Sequence, residues 1–487
     1  PACNRNKDPV ARASSHSAGV RMASRRLQLG SSQSVGSLPS TGSRAGSAEP
    51  YGALFGGVGV ISVTNPSQLL ETLKFLCVAG APEGADVLGF TCSGGGATML
   101  ADHGEAIGLR YPAPDAGAKA ALKELLPPIA TVSNPLDYTT PIWGQAERTL
   151  PVFAAALERV PTQATLLVQD YPAPGLDETE GLYLNDGLAF AEAAKAAGLP
   201  AAICATIPEN MGAHIREAFI RRGVAPMQGV HETLNAIRDA AWWKAARGRI
   251  LSAVPGALMP GRATKAARLL TEAQGKEMLA DAGLPVPTGR VTRAGTLAET
   301  AGEIGFPVAL KMMVPGLAHK TEAGAVALGI GSAEALLEAA MKMRVAVAAY
   351  RETIVTDAFL VEAMAPPPLA ELVVGIRRDA QFGLAMTLGS GGILVELLAD
   401  TVSLLLPATE REISDALDRL KVAGLLNGFR GRPPADRAAL VAALAGLAEY
   451  AVANRATVAE VEINPLFVYE TGVLAVDVLM QVDDVGT

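Results

Sequence analysis

Between residues 51 and 246 the chain alternates short apolar runs with longer stretches of helical period, and this restricts the fold more than any other feature. The runs 58–63, 85–92, 164–168 and 201–205 have strand length, and helical stretches lie between them at 68–79, 97–107, 186–197 and 210–222. Strands that take turns with helices build βαβ units, so the pattern predicts a mostly parallel, doubly wound α/β sheet. A helix over 234–246 closes this region, expected to span 50–247. Residues 248–264 follow with Gly248, Pro255, Gly256, Pro260 and Gly261, the composition of a linker.

The second region, 265–487, has a different order. An amphipathic helix is expected over 269–282 and a short one over 297–304, followed by a strand at 308–312. Further strands are expected at 325–330, 354–362, 372–376, 384–388 and 474–479, with helices at 333–347, 410–422 and 434–453. That order predicts α+β layers and contains no repeat of solenoid period.

Composition narrows the functions. Of 487 residues, 49% are apolar and 18% charged, which excludes global disorder. The net charge of −8 argues against a nucleic-acid or anionic-membrane binder, and 5% aromatics give few platforms for stacked bases. The longest uncharged stretch, 50–70, is broken by Pro50, Asn65, Pro66 and Gln68, so it does not read as a membrane span. Four cysteines (Cys3, Cys77, Cys92, Cys204) show no paired short spacing, and a reducing, cytoplasmic setting is the default. The first 49 residues hold eleven serines and seven Arg or Lys against two acidic residues. That composition fits a disordered segment or a transit peptide, and a fragment or divergent remnant fits a chain that starts at Pro1.

Five places could carry chemistry. Thr91-Cys92-Ser93-Gly94-Gly95-Gly96-Ala97 follows a strand and opens a helix, so it is either a tight turn or a cradle of backbone amides for an anion. Asn134-Pro135-Leu136-Asp137 starts with a turn signal and leaves Asp137 to cap the chain or face a ligand. Lys311 ends an apolar strand, as a solvated strand end or as a partner for nucleotide phosphates. His319 lies in the glycine-framed loop 316–324 beside Lys320, where neutral imidazole suits transfer of a phosphoryl group near pH 7. Glu462 and Asn464 lie two apart on one predicted strand and project from one face. Pairing with a strand over 473–478 would add Asp477, and these oxygens suit Mg²⁺ between phosphates.

Further motifs appear in order. They include Leu270-Thr271-Glu272-Ala273, Gly283-Leu284-Pro285-Val286-Pro287, Phe306-Pro307-Val308-Ala309-Leu310-Lys311 and Val361-Glu362-Ala363-Met364. Glu371-Leu372-Val373-Val374-Gly375, Gln381-Phe382-Gly383, Gly389-Ser390-Gly391-Gly392, Gly428-Phe429-Arg430-Gly431 and Glu462-Ile463-Asn464-Pro465-Leu466 continue the series. Together they resemble the ATP-grasp part of the ADP-forming (nucleoside-diphosphate-forming) acyl-CoA synthetases, relatives of succinyl-CoA synthetase. Residues 51–245 resemble the flavodoxin-like ligase domain that precedes the ATP-grasp domain in fused members.

The resemblance implies ATP, Mg²⁺ and CoA, and an acyl-CoA thioester made through phosphohistidine and acyl phosphate. It implies His319 as the phosphate relay and Glu462 as the group that steadies its phosphorylated form. Lys311 would hold phosphates, Val361, Glu362 and Met364 the adenine, and Glu371 the ribose or nucleotide. Asn464 and Asp477 would ligate Mg²⁺, and the helix opening at Gly94 and Gly95 would favour phosphohistidine through its dipole. Thr206-Ile207-Pro208-Glu209-Asn210 with Ala225-Pro226-Met227-Gln228-Gly229 resembles synthetases for hydroxycinnamates, which implies trans-ferulate as the acid. Two departures accompany this. Members normally carry a CoA-binding domain and a second ligase domain ahead of this region, so either the amino-terminal part is disrupted, a partner subunit or homo-oligomer supplies it, or His319 works alone. They also carry a second histidine where Ser40 stands here, which equally fits a non-catalytic or protein-acetyltransferase-like relative, while an ATP-grasp ligase that forms amides without CoA is a further rival.

Overall fold

The computed structural model describes residues 48–172, 175, 179–252, 267–314, 317, 320–350, 356–391 and 400–483. The described residues divide into two units, 55–252 in the first and 48–54 with 267–483 in the second. Helix α1 (Ala48–Gly57) comes first, and the run 58–63 after it forms no strand. Gly59 interrupts that run just after Gly56 and Gly57 end the helix, and Asn65 already caps the next helix by accepting from Gln68 N at 2.8 Å.

The first unit is a five-stranded parallel sheet. Its elements are α2 (Pro66–Val78), β1 (Val87–Thr91), α3 (Gly94–Ala106), α4 (Ala116–Leu125), β2 (Leu136–Asp137), α5 (Ala146–Arg159), β3 (Ala164–Val168), α6 (Glu180–Ala197), β4 (Ala201–Ala205), α7 (Ala213–Ile220), β5 (Ala225–Gln228) and α8 (Val230–Ser252). The strand order β2-β1-β3-β4-β5 is flavodoxin-like. The apolar runs read as strands because both faces of the sheet are covered. Leu88, Phe90, Leu167 and Ile203 enter one core, while Val87, Leu166, Ala202 and Cys204 enter another on the opposite face. Helix α8 continues to Ser252, so residues 248–252 belong to it and not to the predicted linker.

The second unit contains two antiparallel sheets. Its first elements are β6 (Ala267–Leu269), α9 (Glu272–Asp281), β7 (Gly289–Arg293), α10 (Leu297–Ile304), β8 (Val308–Met312), β9 (Val326–Ile330), α11 (Ala333–Tyr350) and β10 (Ala358–Ala363). Then follow β11 (Ala370–Asp379), β12 (Gly383–Ser390), β13 (Thr401–Leu405), α12 (Glu410–Leu417), α13 (Ala423–Leu426), α14 (Arg437–Ala453), β14 (Val458–Val468), β15 (Val473–Ala475) and β16 (Val478–Asp483). A four-stranded sheet runs β7-β10-β8-β9 and a larger one β13-β12-β11-β14-β16-β6, with β15 also on β14. Alternate residues of β11 (Ala370, Leu372, Val374, Ile376) enter the core of the larger sheet, the pattern of an antiparallel strand packed on one side.

Three expectations shift here. The helix expected over 269–282 starts only after Thr271, because 267–269 join the sheet as β6. The helix over 410–422 stops at Leu417. The strands expected over 473–478 and 474–479 are two, and Asp477 lies in the break between β15 and β16. Among the described residues no helix is long and apolar enough to cross a membrane.

Candidate active site

The densest chemistry lies in the second unit, where three lysines meet three carboxylates. Lys311 sits on β8 opposite Leu360 of β10, and Glu362, two residues further along β10, is its diagonal neighbour. Lys311 Nζ is 3.1 Å from Glu362 Oε2 and donates to the Val476 carbonyl at 3.0 Å. Glu272 opens α9, where a capping box between Thr271 and Gln274 fixes the first turn. One turn on, Lys276 Nζ lies 3.0 Å from Glu272 Oε1 and bonds Glu362 as well. Glu272 also accepts from Lys311 on one oxygen and from Lys320 on the other. Lys320 Nζ then reaches Asp477 Oδ1 at 2.7 Å.

Three positive groups thus face three negative ones, and five of the six lie deep. Lys276, Lys311, Glu272 and Glu362 are buried, and only Asp477 is substantially open. Burial opposes ionisation of Glu272, but Lys311, then Lys276 and Lys320, outweigh it and hold the carboxyl down to about 2. Burial likewise works against the Lys311 ammonium, yet Glu272, Glu362 and Asp477 raise its pKa. Lys276 goes the other way, lowered by burial and then by Lys311 beside it. Asp477 is raised by burial and by Glu272, against the pull of Lys311 and Lys320. An ammonium has three protons to donate. Lys311 spends all three on Glu272, Glu362 and Val476, whereas Lys320 has two partners among the described residues. A shallow cleft bordered by Thr271, Glu272, Met313, Leu317, Lys320 and Leu479 opens onto Lys320 and not onto Lys311.

Of the residues singled out in the sequence, Lys311, Glu362 and Asp477 come together here. Asn464 on β14 lies across from Asp477, since its N–H donates to the Asp477 carbonyl at 3.2 Å. Glu462, one step back on β14, is paired with Leu479 and Gly375, and no hydrogen bond or ion pair holds its carboxylate among the described residues. That bond makes Asn464 and Asp477 backbone neighbours, and an amide and a carboxylate are the oxygen donor types that suit Mg²⁺, which takes one or two carboxylates plus phosphate oxygens. No group of three or more His, Cys, Asp or Glu forms a metal cage among the described residues. Val361 is buried in β10 while Met364, just past its end, is exposed and donates its N–H to the Pro307 carbonyl at 3.1 Å. Glu371 is at the start of β11 in the other sheet, and its carbonyl accepts from Gly391 N–H at 2.7 Å. His319 lies outside the described residues, as does Ser40.

Glu272 and Lys276 were not singled out as site residues by the sequence. Their i, i+4 spacing at a helix start reads equally well as a solvated face. The one signal was the buried-type run around them, Leu269-Leu270 before and Met278-Leu279 after.

In the first unit the chemistry gathers at the carboxyl ends of the strands, where ligands bind in open α/β sheets. Gly94 and Gly95 are exposed at the start of α3, and a Cβ on either would meet nothing closer than 3.6 Å. The close approach falls instead on Gly96, whose added Cβ would sit 2.5 Å from Thr91 Oγ1. Asp137, left open by the sequence, accepts from Thr139 N–H at 2.9 Å. Thr139 itself holds φ at +68°, a left-handed conformation costly for a β-branched residue. Asp170 accepts from both the N–H (2.8 Å) and the hydroxyl (2.7 Å) of Thr206. Beneath this edge Asp186 is fully buried and accepts from Gly144 N–H at 2.9 Å, Thr149 at 3.0 Å and Tyr138 at 3.1 Å. Burial raises its pKa despite those three donors.

Comparisons with known proteins identify the domain and the family. The profile of the ATP-grasp domain matches residues 262–482, so the second unit is an ATP-grasp domain. The beta subunit of acetate–CoA ligase (ADP-forming) II from Pyrococcus furiosus is 34% identical over 229 residues, covering 46% of this chain and 94% of that protein. Across the longer span, a trans-feruloyl-CoA synthase of an unknown prokaryotic organism is 28% identical over 87% of this chain. Acetate–CoA ligase (ADP-forming) I of Archaeoglobus fulgidus is 27% identical over 93% of it. The chain spans 60% and 65% of the length of those two relatives. It belongs to the ADP-forming acyl-CoA synthetase family.

Proposed function

We propose that this chain carries the nucleotide-binding and acyl-transfer parts of an ADP-forming acid–CoA ligase. The observation that carries the reading is the balanced set of Lys276, Lys311 and Lys320 with Glu272, Glu362 and Asp477 inside an ATP-grasp domain. A polyphosphate brings several negative charges, so its site needs cations already held in place, and buried lysines in fixed ion pairs are preorganised to that end. Lys311 and Lys320 serve the phosphates, residues 361–364 border the adenine, and Glu371 serves the ribose side. Asn464 and Asp477 would hold Mg²⁺, which when bound neutralises phosphate charge.

His319 takes the terminal phosphoryl group: a P–N bond forms on the imidazole as the bond to the β-phosphate oxygen breaks, and ADP leaves. The carboxylate of the acid then accepts the phosphoryl group from the imidazole, giving an acyl phosphate. CoA thiolate attacks its carbonyl and releases inorganic phosphate. Glu462 steadies the phosphorylated histidine, and the N-terminus of α3 at Gly94 and Gly95 receives negative charge through its free amides.

Within the class we assign a hydroxycinnamate, with trans-ferulate first. The similarity to trans-feruloyl-CoA synthase supports this, and so does an aromatic group beyond β2 and β3. Trp143 and Tyr183 meet edge to face at 4.5 Å with Tyr171 beside them, and the buried Trp143 Nε1 and Tyr171 Oη have no hydrogen-bond partner among the described residues. Such orphaned donors between rings suit the oxygens of an aromatic acid.

The test is thioester formation from acetate, 4-hydroxybutyrate and ferulate with ATP, Mg²⁺ and CoA, reading the nucleotide product. ADP is expected, with ferulate the best acid; AMP would overturn the class, and a preference for acetate would overturn the acid. His319→Ala is expected to abolish transfer of label from γ-labelled ATP to the protein.

A further inference from the structure

Among the described residues, the cation that pairs with Asp477 is the Lys320 ammonium at 2.7 Å. Lys320 is also the least buried of the three lysines, with 16% of its side chain exposed, against 4% for Lys311 and 6% for Lys276. It borders the cleft, bonds two of its three donors among the described residues, and shares Glu272 with its two neighbours. Lys311, in contrast, is saturated and locked between the sheets by the Val476 carbonyl.

We propose that Lys320 is an exchangeable internal cation: it occupies Asp477 until nucleotide phosphate draws it away, and only then is that carboxylate released to a divalent metal. The inference rests on the assignment of Asp477 above and goes beyond it by tying metal entry to nucleotide entry through one side chain. The two cations compete for the same oxygens, so a carboxylate neutralised by an ammonium has little left to offer a metal. Phosphate offers Lys320 a stronger partner, and Glu272 keeps the ammonium nearby through the exchange. Nucleotide then raises metal affinity and, by reciprocity, metal raises nucleotide affinity.

The experiment measures Mn²⁺ binding to the full chain by the electron paramagnetic resonance signal of the free ion, with and without a non-hydrolysable ATP analogue. Without nucleotide, Lys320→Met is expected to bind Mn²⁺ about tenfold more tightly than the wild type, within the usual range of coupled sites. The double variant Lys320→Met/Asp477→Asn is expected to lose that gain, and Lys320→Arg, which keeps the charge, to behave as wild type. The ratio of Mn²⁺ affinities with and without the analogue is expected to shrink in Lys320→Met. Unchanged or weaker Mn²⁺ binding by Lys320→Met, in a variant with the wild-type circular dichroism spectrum, overturns the exchange. Should Lys320→Met misfold, Lys320→Gln is read in its place against the same criterion. If the wild type takes up no Mn²⁺ even with the analogue, the metal assignment itself fails and the exchange falls with it.

Discussion

Two buried carboxylates, one in each unit, respond to burial in opposite ways. Asp186 in the first unit is ringed by neutral donors, the Gly144 N–H and the hydroxyls of Thr149 and Tyr138, and its pKa rises. Glu272 in the second unit is just as hidden, but three ammonium groups surround it and hold it down to about 2. Removal from water pushes both upward, so the neighbours decide the sign. Neutral donors can hold a carboxylate in place and shape a sheet edge. Fixed ammonium groups do more, because they keep charge in reserve for an anionic ligand.

The largest effect expected from this contrast is on Glu272→Gln. It strips the shared partner from three lysines, and breaking a buried ion pair costs about 3–5 kcal/mol. Chemical denaturation should show the loss in the transition of the second unit, and a change within 1 kcal/mol, about the span of exposed ion pairs, would mean the lysines find other partners. Asp186→Ala comes next, since it strips the Gly144 N–H of its acceptor, at about 1–3 kcal/mol if left unpaired, and leaves Thr149 and Tyr138 only their longer bonds to the Gln145 carbonyl (3.4 Å) and Gln169 (3.3 Å). Asp186→Asn keeps an acceptor and should lose less than half as much in the same assay.

The pH dependence separates the pair more finely. A carboxyl held low contributes stability above its unfolded value of about 4.5, and that contribution drains away as pH falls toward about 2. Glu272→Gln is therefore expected to do most damage near neutral pH and progressively less below about 4.5. Asp186 binds its proton more tightly folded than unfolded, so it favours the fold increasingly as pH falls toward 3.8. Asp186→Asn should then do more damage near pH 4 than near pH 7, and parallel profiles for the two variants would end the comparison. The smallest effect is Thr271→Ala, which removes the cap ahead of Glu272 and should lower stability by about 1 kcal/mol in thermal melts.

Much of the framework could be read from local pattern. The strands at Ala164–Val168, Ala201–Ala205 and Val308–Met312 and the helix Leu297–Ile304 stand where the apolar periods place them. Other elements left no such trace. Strand β2 has two residues, and β5 contains Pro226, which a strand tolerates at the sheet edge where β5 lies. The run 58–63 carries the composition of a strand and yet pairs with none, because pairing depends on a neighbour the local sequence does not contain.

Sequence alone therefore determined much of the alternation of strands and helices, the two kinds of layer, and the motifs that mark an ATP-grasp domain, since these depend on residue periods and short spacings. Only the tertiary structure decided which charges meet. Lys311 and Glu272 are 39 positions apart, Lys276 and Glu362 are 86, and Lys320 and Asp477 are 157. No period links such distances. They are closed by the packing of α9 and the two sheets, and with them the sign of every charge shift in the site is set.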